Sequence, residues 1–310
     1  MKSASSESGI NVLTKIIYFY KLFKIRVNDA KGETIIPWKD IYEYESILAK
    51  HLPAKGQKLA NHRVLEIGYG ARPWRLLSMA SLGINIKGID LDRPTYGYNP
   101  KRLIGALKRN GFERFVKSLV RGLFFDRSDI RMLKNELRAL NKNLTLDEKC
   151  MVVGNAKESH HFNPNSFTFA FSEDVFEHIP SEDIPHVLDN IKTWLEPGGI
   201  VIVRPNVWTG ITGGHDPDYY PDEILAGRSP QTNAWLHLLQ PDFKVNTYLN
   251  RLRLQDYVHL FSERFEILEV IQKHKQLGKE YLSADLRNQL IPDYSEEELL
   301  TNQLSFVLRA

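Results

Sequence analysis

Residues 63–92, RVLEIGYGARPWRLLSMASLGINIKGIDLD, decide how the rest of the sequence is interpreted. The segment reads as a short apolar strand, a glycine turn, a helix and a second strand. Gly68 and Gly70 let the backbone bend and approach a ligand closely. Pro73 lies where a helix begins, and Gly83 lies where the same helix ends. The unit is typical of an α/β domain that binds a nucleotide cofactor.

The spacing within this stretch decides which nucleotide it suits. Asp90 ends the second predicted strand, where a carboxylate can accept hydrogen bonds from both hydroxyls of a ribose. The dinucleotide fingerprint G-x-G-x-x-G, begun at Gly68, needs a third glycine at the position that Pro73 occupies. The pattern that is present instead has an acidic residue, Glu66, two positions before the first glycine. The alternative to a cofactor site is a doubly wound domain whose glycines only shape a turn.

This segment resembles motif I of the class I S-adenosylmethionine-dependent methyltransferases, in which an acidic residue precedes alternating glycines. Glu66, Gly68 and Gly70 match the motif, and Arg72 occupies the third glycine position. The resemblance implies that Glu66 holds the amino end of the methionine, that the glycines admit its backbone, and that Asp90 binds ribose. Arg72 either points away or meets the cofactor carboxylate. The cofactor contacts predicted on this segment are Glu66, Gly68, Tyr69, Gly70, Asp90 and Leu91.

The next strand signal carries a second match to the family. Residues 151–155, MVVGN, predict a third strand, and Asn155 and Ala156 stand where the family has an acidic residue followed by a small one. The resemblance implies that the carbonyl oxygen of Asn155 accepts a hydrogen bond from the adenine amino group. The structural alternative is an ordinary turn residue at the end of a strand.

A third match follows the fourth predicted strand. Residues 171–180, FSEDVFEHIP, resemble the family's E-H-hydrophobic run, and Ser172 is assigned to the cofactor site there. Thr168 departs from the pattern, because an acidic residue is more usual at its position. Residues 195–203, LEPGGIVIV, resemble the family's loop and fifth strand. Together these segments favour a methyltransferase over a generic doubly wound domain.

The residues after the fifth predicted strand are the least generic in the chain. They include RPNVW at 204–208 and GGHD at 213–216. Loops at the carboxyl ends of strands border the ligand in open α/β sheets. His215 is therefore the predicted general base for an acceptor hydroxyl, and Asp216 is the residue that would orient it. His178 is the competing base, and the structural alternative for each histidine is an ordinary hydrogen bond within a loop.

Metal and disulfide chemistry are not predicted. The single cysteine, Cys150, excludes an intrachain disulfide and a cysteine zinc site, which favours a reducing compartment, taken as the cytoplasm. His160 and His161 are weaker candidates for a base. No close ligand spacing in the sequence supports a metal site, so no metal ligand is predicted. The residues considered for such a site are Glu177, His178, His215 and Asp216.

A long basic stretch separates the second predicted strand from the third. Residues 101–142 contain 12 Lys and Arg against four acidic residues, a local charge of +8 within a chain whose net charge is +3. They read as two or three inserted helices, since nearly sixty residues are far more than one crossover helix needs. The insertion is either a cap for an anionic acceptor or a solvated charged face.

The first part of the chain predicts an amphipathic helix over residues 11–23, followed by a helix over residues 38–52. The first helix packs on the domain, forms a lid, lies on a membrane or joins a partner. The longest apolar stretch near the N-terminus is interrupted by Lys15 and Lys21, so neither a spanning helix nor a secretory signal is predicted. The sequence does not indicate an oligomeric state.

These expectations combine into an α/β, Rossmann-like methyltransferase sandwich of seven strands, mostly parallel with an antiparallel last strand. Residues 1–60 are the predicted helical N-terminal lid, and residues 61–310 are the methyltransferase domain. The helical insertion lies at about 100–147 and an acceptor-facing section at about 205–260. The expected activity is S-adenosylmethionine-dependent methylation of an oxygen or nitrogen on a small molecule such as a sugar, glycan precursor or natural product. The alternatives are a nucleic-acid methyltransferase that uses the basic insertion, and a non-catalytic scaffold that binds the cofactor.

Overall fold

A single sheet of seven strands runs through the structure. Its strands are β1 (Arg63–Ile67), β2 (Asn85–Asp90), β3 (Met151–Val153), β4 (Phe167–Glu173), β5 (Leu195–Arg204), β6 (Glu266–Lys273) and β7 (Gln303–Arg309). The strand order is β3-β2-β1-β4-β5-β7-β6. β1, β2 and β3 pair in parallel, whereas β6 and β7 are antiparallel. The predicted Rossmann-like sheet with an antiparallel last strand is confirmed.

The computed structural model describes residues 17–18, 20–25, 34–94, 126–145, 148–240, 242–243, 245 and 247–310. Its α-helices are α1 (Trp38–His51), α2 (Trp74–Leu82), α3 (Asp126–Ala139), α4 (Ile184–Trp194), α5 (Pro221–Leu225), α6 (Leu236–Leu239), α7 (Leu254–Ser262), α8 (Ala284–Leu290) and α9 (Glu296–Leu299). The described residues of 17–25 are helical as well. No helix within the described ranges has the length and apolar character to cross a bilayer.

The chain divides into two compact units, between which it passes within β4, α4 and β5. The unit that carries the glycine turn comprises Thr34–Phe171, Asn190–Ile200 and Ala310, and is called the glycine-turn unit. The other comprises Met1–Glu33, Ser172–Asp189 and Val201–Arg309, and is called the histidine unit. The predicted cofactor contacts other than Ser172 lie in the first, and the predicted catalytic residues lie in the second.

The local signals around the glycine turn form the structure they predict. Gly68 and Gly70 have φ angles of +79° and +70°, in the left-handed region that glycine adopts without a Cβ penalty. α2 begins directly after Pro73, and Gly83 ends it with a φ of +94° and a hydrogen bond back to Ala80. Near the other end of the chain, Ser295 and Glu298 form the capping box of α9.

One boundary differs from the sequence expectations. Residues 196–199, in the segment that resembles the family's loop and fifth strand, lie within β5, because the Gly198 N–H and the Gly199 carbonyl pair with the backbone of Ala310. The section predicted at about 205–260 to face the acceptor contains α5, α6 and α7 among its described residues. The expected helix over 11–23 is helical where it is described, and the insertion's segment 101–125 lies outside the described residues.

Candidate functional site

The cofactor end of the glycine-turn unit is organised around Asp90. Its Oδ2 accepts a hydrogen bond from the Gly70 N–H at 2.8 Å, and its Oδ1 accepts one from the Asp92 N–H at 2.8 Å. The Gly68 N–H continues the β1–β2 pairing by donating to the Ile89 carbonyl at 2.8 Å. Asp90 therefore fixes the turn and also presents its carboxylate at the end of β2.

The backbone at Gly70 has open space beside it. A Cβ added at this position would meet nothing within 4 Å among the described residues. Tyr69, by contrast, is packed inward. Its ring lies so close to Gly88 that a Cβ added to Gly88 would be 2.7 Å from Tyr69 Cδ1. Its hydroxyl donates a hydrogen bond to the Val152 carbonyl at 3.1 Å. Burial raises the pKa of the Tyr69 hydroxyl. Tyr69 thus anchors the turn to β2 and β3, while the backbone at Gly70 leaves room for a ligand.

Glu66 is almost completely buried at the end of β1. Its Oε1 lies 3.5 Å from Arg75 Nη1, and Arg75 Nε lies 3.4 Å from Asp40 Oδ2 on α1. Only 2% of Glu66 is exposed, so this ion pair offsets part of the cost of burying the carboxylate. The acidic residue of the motif is therefore held in a charged cluster that includes the helix preceding β1.

Arg72, which replaces the motif's third glycine, is directed toward α3. Its Nη2 donates to Asp129 Oδ2 at 3.0 Å, and its Nε lies 3.7 Å from Asp126 Oδ1. Trp74 Nε1 donates to the same Asp129 oxygen at 3.2 Å. Both aspartates are buried in the first turn of α3, where acidic residues are favoured by the helix dipole. The sequence left open whether Arg72 points away or meets the cofactor carboxylate, and the structure shows it paired with α3.

The other departure from the motif, Thr168, has a structural partner. Its hydroxyl lies 3.1 Å from His62 Nδ1 and accepts a hydrogen bond from the Arg63 N–H at 3.1 Å. His62 Nε2 contacts the Gly56 carbonyl at 3.0 Å. This buried polar set joins the start of β1 to β4, so Thr168 serves packing within the unit.

The predicted adenine contacts lie beyond the end of β3. Asn155 Oδ1 accepts a hydrogen bond from the Lys157 N–H at 3.1 Å, which is an ordinary Asx turn. The carbonyl of Ala156 accepts from Asn190 Nδ2 at 2.9 Å. Leu91, after β2, is 69% exposed. Ser172, in the histidine unit, is buried near the end of β4.

In the histidine unit, the loop after β5 is a packed structure. Thr212 N–H donates to Asn302 Oδ1 at 3.1 Å. Gly213 and Gly214 are required by packing, because a Cβ at Gly213 would lie 2.2 Å from the Trp208 carbonyl oxygen and one at Gly214 2.7 Å from the His237 ring. His215 follows with a φ of 52°, a left-handed conformation that is uncommon for histidine. The glycine pair and its buried neighbours thus fix the position of His215.

The structure brings His215 together with the Glu177-His178 pair that follows β4. His215 Nε2 lies 3.8 Å from Glu177 Oε1, and the rings of His178 and His215 are 5.0 Å apart at 73°. The predicted base and its competitor are therefore neighbours. The sequence places Glu177 with these histidines only in a metal site that it does not predict, and it assigns Glu177 no role beside a catalytic base, although Glu177 adjoins His178 in the E-H run.

A set of amides holds this cluster in place. Asn206 Nδ2 donates to Glu177 Oε1 at 2.8 Å and lies 3.0 Å from Asp174 Oδ1. Asn250 Nδ2 donates to the Phe176 carbonyl at 2.7 Å, and the Asn250 N–H donates to the Glu177 carbonyl at 2.9 Å. Asn206 stands in the RPNVW stretch, but nothing in its spacing indicates that it reaches Glu177.

Burial changes the protonation of all three groups. Desolvation, with the nearby Asp174 charge, raises the pKa of Glu177 to about 8. Desolvation, with a smaller contribution from His178 and His237, lowers the pKa of His215 to about 3, and burial also lowers the pKa of His178. Both imidazoles are consequently neutral at pH 7. A neutral imidazole of such low pKa is a weak proton acceptor but still offers a nitrogen lone pair.

Asp216 and the other histidines have different surroundings. Asp216 Oδ1 accepts a hydrogen bond from the Asp218 N–H at 3.1 Å and lies 3.7 Å from Lys21 Nζ. Among the described residues, Glu177 is the carboxylate within 4 Å of His215. His160 and His161 lie in the glycine-turn unit beside Glu158, at 3.9 and 3.4 Å.

Comparison with known proteins completes these observations. Residues 39–300 match a family model described as a methyltransferase domain. A Pyrococcus horikoshii protein of solved structure is 12% identical, with 88% of this chain and 90% of that chain covered and a TM-score of 0.42. A SAM-dependent methyltransferase from Methanosarcina mazei is 14% identical, with 80% and 92% covered and a TM-score of 0.41. Geranyl diphosphate C-methyltransferase from Streptomyces coelicolor is 11% identical, with 86% of this chain and 78% of that chain covered and a TM-score of 0.40. The comparison with curated proteins gave no match.

Proposed function

The chain belongs to the methyltransferase family whose model it matches and is an S-adenosylmethionine-dependent enzyme, and from that premise we propose that it methylates an oxygen or nitrogen of a small-molecule acceptor. The observation that carries the proposal for the donor side is the turn at Gly70, held by Asp90 and open beside its backbone. The resemblance in motif I assigns the amino end of the methionine to Glu66. Ribose is assigned to Asp90, and adenine to Asn155 and the exposed Leu91.

In the proposed reaction, the acceptor atom attacks the methyl carbon in line with the carbon–sulfur bond. A new bond forms between the acceptor and the methyl group, the carbon–sulfur bond breaks, and its electron pair stays on sulfur as neutral S-adenosylhomocysteine. The acceptor's proton must leave. Because the donor is already activated, the enzyme's main contribution is alignment of the two reactants.

For the acceptor side we propose His215 and His178, with Glu177, as the groups that meet the acceptor. They are supported by their mutual proximity and burial. Glu177, with its pKa raised to about 8, takes the role of polar partner that the sequence assigns to Asp216. Asp216 is proposed instead to support the loop through its contacts with Asp218 and Lys21. The described part of the 17–25 helix would then cover this loop as a lid.

A nucleic-acid or other anionic acceptor is the second candidate, favoured by the charge on α3. Arg127, Arg131, Lys134 and Arg138 line a surface groove of about 300 Å³ on this helix. A cationic groove attracts anions through a field that salt screens. A loss of acceptor binding that steepens with ionic strength would favour this candidate, whereas a neutral small-molecule acceptor would show little salt dependence.

Donor binding is tested by calorimetry with S-adenosylhomocysteine. Asp90→Asn keeps the shape of the side chain but removes one acceptor oxygen and the charge, so we expect affinity to fall at least tenfold. Asp92→Asn is the matched control, since it makes the same charge change two residues away and leaves the Asp90 carboxylate intact. Equal affinities in the two variants would contradict the assignment of ribose to Asp90.

A further inference from the structure

The cluster of Glu177, His178 and His215 in the histidine unit has the composition of a metal centre. One oxygen of Glu177 and one nitrogen each of His178 and His215 all lie within 4.8 Å of one another. Their spacing in the sequence does not predict this, because Glu177 and His178 follow β4 whereas His215 follows β5. We propose that these three side chains bind one divalent transition-metal ion.

Two of the three ligands have buried atoms that need a partner. Glu177 Oε2 and His215 Nε2 are shielded from solvent and make no hydrogen bond to any residue that the structure describes. Only 3% of the Glu177 side chain is exposed. A buried polar atom without a partner is costly, and a buried charge is costlier still. A cation between the two side chains would satisfy both atoms at once.

The outer contacts orient the ligands as metal sites require. His178 Nδ1 lies 2.9 Å from the Tyr248 carbonyl, and because a carbonyl only accepts, Nδ1 carries the proton and Nε2 keeps its lone pair. Asn206 Nδ2 donates to Glu177 Oε1 at 2.8 Å and steadies the carboxylate. Hydrogen bonds of this kind fix the tautomer and ring orientation of metal-binding histidines and the orientation of carboxylates.

The donor atoms of the cluster indicate which ions it suits. Two imidazoles and one carboxylate suit Fe²⁺, Co²⁺ or Zn²⁺ better than Mg²⁺ or Ca²⁺, which prefer all-oxygen sites.

The ion would supply what the histidines alone lack. A metal ion that binds the acceptor hydroxyl would lower the pKa of that hydroxyl, as it lowers that of bound water to about 7. The proton then leaves to solvent, the acceptor oxygen attacks the methyl carbon, and sulfur retains the electron pair of the broken bond. This role rests on the proposed function, whereas metal binding itself does not.

The test uses the full-length protein after chelator treatment, with Co²⁺ alone as the probe. We expect one equivalent to bind, detected by calorimetry and by the visible absorption of nitrogen-ligated Co²⁺. Glu177→Gln keeps an oxygen for Asn206 but removes the charge, and His215→Asn suits the left-handed backbone at that position. Each should weaken Co²⁺ binding at least tenfold while circular dichroism shows an unchanged fold.

The matched control is His160→Asn. His160, with Glu158 and His161, forms the other group of potential metal ligands among the described residues, and it is more exposed. The proposal requires that this variant bind Co²⁺ as the wild type does. It is overturned if the wild type takes up no stoichiometric Co²⁺, or if the absorption survives Glu177→Gln and His215→Asn but disappears in His160→Asn.

S-Adenosylhomocysteine binding separates this inference from the proposed function. If the cofactor product binds and Co²⁺ does not, the metal proposal fails and the methyltransferase assignment of the donor residues stands. If Co²⁺ binds to the histidine cluster while the product fails to bind, the donor-site proposal fails instead. Both measurements are made on the same preparation, so a misfolded sample is recognised by loss of both.

Discussion

The two units differ in the kind of information that creates their sites. In the glycine-turn unit, Gly68, Gly70 and Asp90 lie within one strand–turn–helix–strand segment, and a local backbone pattern brings them together. In the histidine unit, Glu177 and His215 lie 38 positions apart and meet because the loops after two neighbouring strands are each packed in place. Local pattern therefore predicts the first site, and tertiary packing creates the second.

The largest expected effect tests whether Gly70 serves a ligand and not only a turn. Gly70→Val would project a side chain into the open space beside the turn, and we expect S-adenosylhomocysteine affinity to fall about a hundredfold, or about 2.7 kcal/mol. Gly227→Val is the control, because Gly227 also has a positive φ, +65°, and open space around it. Both variants should lose similar stability from backbone strain.

Calorimetry on the two glycine variants distinguishes the explanations. If Gly227→Val weakens cofactor binding as much as Gly70→Val, the effect is general strain and the local pattern does not mark a ligand site. If only Gly70→Val is affected, the open space beside the turn belongs to the cofactor.

The next largest effect concerns an exception to the comparison between the two units. At Arg72, in the glycine-turn unit, tertiary packing overrides the local motif. Arg72→Gly restores the family's third glycine, yet we expect it to destabilise the protein by about 2 kcal/mol, since Asp126 and Asp129 lose a charged partner inside the fold. Urea unfolding measures this. Arg287→Ala, which removes an exposed pair with Glu296, should change stability by less than about 1 kcal/mol. A more stable Arg72→Gly variant would show that the motif outweighs the contact with α3.

Arg72 also marks how far the sequence predicts the structure. The seven strands and the helix ends at Pro73 and Gly83 follow from residues that are neighbours in the chain, so periodicity and turn chemistry predict them. The partner of Arg72 lies 57 positions away, within a segment whose strong positive charge indicated either a substrate cap or a solvated charged face. No local pattern indicates that two of the few acidic residues there turn inward.

A smaller effect sharpens the comparison from the histidine side. Asn206→Ala removes the amide that contacts both Glu177 and Asp174, and we expect Co²⁺ affinity to fall about tenfold, because residues that orient metal ligands typically contribute that much. S-Adenosylhomocysteine affinity should not change. Gln303→Ala is the control, since Gln303 donates to Asp174 at 2.6 Å. If both variants lower the Co²⁺ affinity equally, the contact with Asp174, and not the contact with Glu177, supports Co²⁺ binding.

The catalytic candidates show why the second site was only partly predicted. His215 and His178 were found because each stands in an unusual run after a strand, which is where ligands bind in such sheets. The sequence predicts Asp216, its neighbour in the chain, as the residue that orients His215, because the chain alone gives no distance to Glu177. The carboxylate of Asp216 is used to cap the turn at 217–219 and to approach Lys21.

The smallest effect concerns that Lys21 contact. Lys21 Nζ lies 2.5 Å from Asp218 Oδ2 on a partly exposed surface, so Lys21→Ala should reduce global stability by less than about 1 kcal/mol. If residues 17–25 act as a lid on the loop that carries His215, their amide hydrogens should exchange faster in this variant, while β4 and β5 exchange as before. Unchanged exchange in 17–25 would mean that this ion pair does not hold the helix. The lid would then depend on other contacts, such as the packing of Tyr18 and the hydrogen bond between the side chains of Tyr18 and Tyr220.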